Sequence, residues 1–114
     1  MRAGARIAAA AEVLDDILSR HRPAASALAD WGRAHRFAGS GDRAAIGTVV
    51  FDALRRRLSI AARMGSDTPR ALVLGAAPRA LGLSPEEVAL AADGSEHAAA
   101  LSQQESAGLA GELP

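Results

Sequence analysis

The sequence contains no cysteine and no lysine. Without thiols there is no disulfide framework, no thiolate metal site and no cysteine nucleophile. The histidines His21, His35 and His97 form no HxxxH or HxH pair, which argues against a zinc centre. Long apolar runs are missing too. The longest alanine-rich one covers residues 7–11, whereas a membrane span needs roughly 20 residues. Arg2 and Arg6 open the chain, but Glu12, Asp15 and Asp16 soon interrupt the apolar pattern, unlike a secretory signal. The expectation is a cytoplasmic protein with no membrane partner. Alternating runs of β-branched residues are absent as well, so the fold is expected to be all-α.

Large apolar side chains are scarce. Alanine supplies 29 of the 56 apolar residues among 114, which leaves 27 larger ones for the core. This length suits one domain that buries about two thirds of its unfolded surface. Positive charge is confined to one part: residues 1–80 hold all 13 arginines against seven acids, and residues 81–114 hold six acids and no arginine. The zero net charge therefore divides into +6 and −6. A basic body with an acidic end suits phosphate binding by the first part. A GC-rich genome also produces such an arginine- and alanine-rich composition without lysine.

Hydrophobic periodicity predicts an amphipathic helix over 3–20, stopped by Pro23. A second helix is expected over 24–36, with Leu28, Trp31 and His35 on one face. The glycines and serine of 37–41 predict a turn, with Ser40 or Asp42 capping a third helix over 42–57. The apolar arc of that helix includes Ile46, Val49, Val50, Phe51, Leu54 and Leu58 and spans roughly 200°, wider than the stripe of a surface helix. It is therefore expected to be central, with Thr48, Asp52, Arg55 and Arg56 as its wet strip. Residues 58–64 continue it or form a separate turn. A helix restarts at Thr68-Pro69 and is expected to kink or split at Pro78. Capping boxes at Ser84–Glu87 and Ser102–Glu105 predict short helices over 85–92 and 103–110, with a loop at 93–97.

No catalytic constellation emerges. Gly39-Ser40-Gly41 follows no strand and lacks a GKS or GKT continuation, so it is no phosphate loop. The neighbouring acids Asp15-Asp16 and Glu86-Glu87 point apart on a helix. His35, on an apolar face, is expected to be a hydrogen-bonded core residue. The densest charge cluster is Arg55-Arg56-Arg57. Its Arg55 and Arg56, with Arg33, Arg36 and Arg63, form a candidate RNA-binding set, since guanidinium forks fit phosphate oxygens. Ordinary surface pairing of Arg55 and Arg56 with Asp52 is the alternative. Arg43 and Arg57, nearer the apolar arc, are expected to make structural ion pairs with Glu12, Asp15, Asp16 or Asp30. A helix-turn-helix DNA reader is the weaker alternative, because the third helix offers no Asn or Gln to read base edges.

The run Asp30-Trp31-Gly32-Arg33-Ala34-His35-Arg36-Phe37-Ala38-Gly39-Ser40-Gly41-Asp42-Arg43-Ala44-Ala45-Ile46, followed by Val49, Asp52-Ala53-Leu54 and Arg55-Arg56-Arg57, carries a family resemblance. So do residues 63–75, Asp93-Gly94-Ser95 and His97. The chain resembles the N-terminal NusB-like domain of Sun/Fmu-type ribosomal RNA (cytosine-C5) methyltransferases, in their alphaproteobacterial form, over roughly residues 5–114. The resemblance implies a small orthogonal helical bundle over 1–92 that binds ribosomal RNA. Residues 93–114 would be an acidic loop and short helix leading toward a catalytic methyltransferase domain in cis. That domain would bind S-adenosylmethionine and use two cysteines. The chain has no cysteine, so no catalytic, cofactor-binding or metal residue carries over, and the fragment itself is expected to transfer no methyl group. The later helices of the NusB bundle are not evident, so the bundle reads as incomplete. Two further expectations remain open: a purely structural module packed on the catalytic domain, and a dimer formed through exposed apolar surface.

Overall fold

Local chemistry sets the ends of the helices in the computed structural model, which describes residues 1–92, 94 and 99–111. The chain is all-α, with α1 (Ala3–Arg20), α2 (Ala24–Ala34), α3 (Ser40–Arg55), α4 (Arg57–Met64), α5 (Pro69–Leu81), α6 (Pro85–Ala91) and α7 (Gln103–Ala110). The Thr68 hydroxyl accepts the Ala71 N–H at 3.2 Å, with Pro69 in the first turn, where a missing N–H costs no bond. Both predicted capping boxes form. Ser84 and Glu87 exchange bonds of 3.0 and 3.1 Å, and Ser102 and Glu105 bonds of 2.9 and 3.1 Å. α3 begins earlier than expected, at Ser40. Ser40 does not cap it; Asp42, inside the first turn, accepts the Gly39 N–H at 3.1 Å. Apart from Gly94, the expected loop at 93–97 lies outside the described residues.

The fully enclosed helix is α5, not α3. Every residue from Ala71 to Pro78 is buried, as befits a helix apolar on all sides. α1, α3 and α4 pack along it, and α6 and α7 cover what remains. α3 buries Ile46, Val49, Val50 and Ala53, but Phe51 is 52% and Leu58 86% exposed. The broad arc seen in the sequence overstated its burial, because α5 takes the centre and leaves α3 covered on one side. α5 runs through Pro78 without splitting. Pro78 stands near the helix end, where few internal bonds are at stake. Its carbonyl accepts the N–H of Gly82, which has φ 66°, and that of Leu83 at 2.9 Å.

Glycines let α4 approach both α5 and α7. A Cβ on Gly75 would lie 2.4 Å from Ile60 Cγ2 and 3.0 Å from Met64 Cγ. One on Gly108 would lie 2.6 Å from Met64 Sδ and 3.0 Å from Met64 Cα. Polar bonds lock the same junction. Arg63 donates to the Gly75 carbonyl at 2.7 Å and to the Gly108 carbonyl at 3.1 Å. Gln104 donates to the carbonyls of Met64 at 3.1 Å and Gly65 at 3.0 Å, closing the end of α4. Arg70 grips both Glu105 oxygens at 2.8 and 3.2 Å and reaches the Ala99 carbonyl at 3.0 Å. Among the described residues no helix is long and apolar enough to cross a membrane.

One substitution should act in opposite directions at different glycines. Gly75→Ala and Gly108→Ala overpack the junction and are expected to cost about 1–3 kcal/mol each. Gly47→Ala on α3 would meet only Leu28 Cδ1 at 3.9 Å, and is expected to add up to about 1 kcal/mol through helix propensity. Urea denaturation of the three variants checks both signs.

Candidate nucleic-acid interface

The uncovered side of α3 carries Arg43, Ala44, Thr48, Phe51 and Arg55, all exposed. Arg43 and Arg55 are separated by about 18 Å at a rise of 1.5 Å per residue. That matches about five stacked bases at 3.4 Å each. A groove flanks the helix on either side. Toward α2 it has a volume of about 560 Å³ and is lined by Leu28, Gly32, Arg33, Arg36, Ala38 and Arg43, among others. Toward the end of α5 it has about 520 Å³, and Gly47, Thr48, Phe51, Asp52, Arg55 and Arg79 line it with two alanines. Five arginines thus border one helix face.

Of the acids nearby, Asp16 and Asp42 are held by other groups, and Asp30 is shared between Arg22 and Arg33. Arg22 donates to Asp16 at 2.7 Å and to Asp30, tying the α1–α2 turn. These bonds, Asp30 first, raise the Arg22 pKa, while Arg22 and then Arg33 hold Asp30 below the ordinary carboxylate range. Arg6 donates to Asp42 at 2.9 Å, joining the starts of α1 and α3 and holding Asp42 low. Arg33 pairs with Asp30, yet its side chain is 69% exposed. Arg36 and Arg43 make no ion pair among the described residues.

Arg43 and Arg57 therefore depart from the expected structural ion pairs. Both are exposed and meet no carboxylate among the described residues. A Cβ on Gly32 would come within 3.2 Å of Arg43 Cδ, so the Arg43 stem crosses α2 there and its head borders the groove. The bridging roles belong instead to Arg6, Arg22 and Arg70.

Asp52 departs in the other sense. It was expected on the wet strip, but it is 4% exposed and is the one buried charged side chain among the described residues. Arg55 donates to it at 2.7 Å and Arg56 at 2.6 Å. Burial pushes the Asp52 carboxyl up, but the bonds from Arg56 and Arg55 outweigh it and hold the pKa below the ordinary value. Arg56 is drawn in by this pairing, its side chain 14% exposed, whereas that of Arg55 remains 75% exposed. Arg63 is engaged at the α4–α5–α7 junction.

Of the five arginines proposed from sequence, Arg33, Arg36 and Arg55 thus border the α3 face, and Arg56 and Arg63 do not. Arg79, Arg43 and Phe51 join them there. The sequence places Phe51 in the apolar arc of α3; the one signal that could have marked it for this face is that Gly47, Thr48 and Arg55 stand one turn away on the same helix side.

A third groove, of about 800 Å³, lies elsewhere, where Gly4, Ala5 and Ala8 of α1 face Trp31, His35, Phe37 and Leu90, with Arg2 and Glu12 also in its lining. His35 stacks on Trp31 with centroids 4.2 Å apart, and its Nδ1–H donates to the Trp31 carbonyl at 2.8 Å. Phe37 meets His35 edge-on at 5.9 Å. His35 is half-buried and hydrogen-bonded, at the core edge rather than inside it. Phe37 and Leu90 are 74% and 78% exposed. Among the described residues no group of His, Asp and Glu could hold a metal ion.

Asp52 and its arginines give an acid-sensitive element. A carboxyl with a lowered folded pKa contributes stability above its unfolded pKa of about 4 and loses it as pH falls through the folded value. Asp52→Asn is therefore expected to be less stable than the parent at pH 7, with the difference shrinking as pH falls below the ordinary carboxylate value of about 4. Thermal melts across pH check this; a constant difference would contradict it. Comparison of the chain with family models, curated proteins and solved structures finds no match.

Proposed function

We propose that this chain is an RNA-binding accessory domain that docks substrate RNA along the exposed side of α3. The supporting observation is the cluster of Arg33, Arg36, Arg43, Arg55 and Arg79 around two grooves whose carboxylate, Asp52, is already neutralised by Arg55 and Arg56. Such a face suits phosphates by charge and by guanidinium geometry. Together with the resemblance of residues 30–57, it supports a role beside a ribosomal RNA (cytosine-C5) methyltransferase domain. S-adenosylmethionine would bind that catalytic domain. This helical domain would raise the local RNA concentration at it. A cytoplasmic location goes with this reading.

A second reading draws on a different observation. The groove lined by Trp31 and the exposed side chains of Phe37 and Leu90 suits packing against a protein surface, either the catalytic domain or a second copy of the chain. In that role the domain would touch no RNA.

Fluorescence anisotropy with ribosomal RNA fragments over a salt series separates the two. Under the RNA reading, log K falls linearly with log salt, and Arg36→Ala, Arg43→Ala and Arg79→Ala each flatten the slope by roughly 0.7–0.9. Arg57→Ala, away from both grooves, leaves the slope unchanged. No binding at low salt would favour the protein-packing reading.

A further inference from the structure

We infer that the groove between α3 and the end of α5 takes an unpaired RNA base stacked on Phe51, with Arg55 and Arg79 on the phosphates beside it. This rests on the RNA-binding reading above and narrows the ligand to single-stranded or looped RNA. Several observations converge on the same groove.

Phe51 is one of only three aromatic residues in this chain, with Phe37 and Trp31, and half its surface is open to solvent. The core has not claimed it: Val49, Val50 and Ala53 beside it are fully buried. A ring so placed adds little burial to the fold and leaves a face free for a partner. Gly47, one turn before, lines the same groove without a side chain. Packing does not require glycine there, since an added Cβ would make only ordinary contact, 3.9 Å from Leu28 Cδ1. A mid-helix glycine without a packing reason disfavours the helix. What it provides here is room beside an aromatic ring.

The charges fit as well. Arg55 stands one turn beyond Phe51, and Arg79 faces it across the groove from the last turn of α5. Arg79 meets no carboxylate among the described residues. Asp52, the groove's acid, is paired with Arg55 and Arg56 and leaves the neighbourhood net positive. An exposed ring between cations is the arrangement by which proteins hold unpaired strands. Every base offers a face for stacking, while a duplex keeps its bases stacked on one another.

The test compares a short labelled oligouridylate with a blunt RNA duplex at one salt concentration. Phe51→Leu keeps an apolar side chain and removes the ring. It is expected to weaken oligouridylate binding by about tenfold or more and to leave duplex binding unchanged. Gly47→Ala is expected to weaken oligouridylate binding too, with no loss of melting temperature. Phe51→Trp is expected to retain binding, with indole emission that oligouridylate quenches. Unchanged oligouridylate affinity in Phe51→Leu, or equal losses on both RNAs, would overturn the stacking site while leaving the arginine face as an RNA surface. Failure of the parent protein to bind either RNA would overturn both.

Discussion

The enclosure of α5 is the constraint on which the rest of the structure depends. Its buried run of alanines and leucines with Val73, Gly75 and Pro78 offers no polar side to water, so neighbours must cover every side. Small side chains permit that closeness. At Gly75 and Gly108 the approach is so tight that a methyl group would collide with Ile60 or Met64. Alanine-rich helices bury little apolar area per residue, so the fold gains stability by bringing backbones together rather than by filling space with large side chains.

The exposed face of α3 follows from that core. α3 lies against α1 and α5 through Ile46, Val49, Val50 and Ala53 and therefore turns Arg43, Phe51 and Arg55 outward. The end of α5 then places Arg79 beside Phe51. Structural arginines take up many of the acids: Arg6 engages Asp42, Arg22 engages Asp16 and Asp30, and Arg70 engages Glu105. The +6 balance of residues 1–80 is consequently concentrated, in part, along the open side of one helix.

Much of the fold was legible in the sequence where its causes are local. Pro23, Thr68-Pro69 and the boxes at Ser84 and Ser102 stop or start helices through bonds within a turn, and those boundaries fall within a residue or two of expectation. Tertiary placement was not legible. The width of the apolar arc on α3 suggested a central helix, but periodicity cannot tell which of two apolar helices the others will surround. The same limit hid the burial of Asp52 and the exposure of Phe51. Pairing among 13 arginines and 13 acids was harder still. Two of the four acids matched to Arg43, Asp16 and Asp30, are in fact held by Arg22, because proximity in space, not in sequence, decides the partner. Arg33, Arg36 and Arg55 were found from charge density alone, and Arg79 only once α5 was seen beside α3.

The central claim is that the exposed side of α3 is an RNA surface. The most direct measurement is a titration of the isotopically labelled protein with a ribosomal RNA hairpin, followed by amide and arginine side-chain NMR signals. The account predicts shifts concentrated at Arg33, Arg36, Arg43, Phe51, Arg55 and Arg79, with α6 and the Trp31 groove unmoved. Shifts gathered around Trp31, Phe37 and Leu90 instead, or no shifts at low salt, would contradict it.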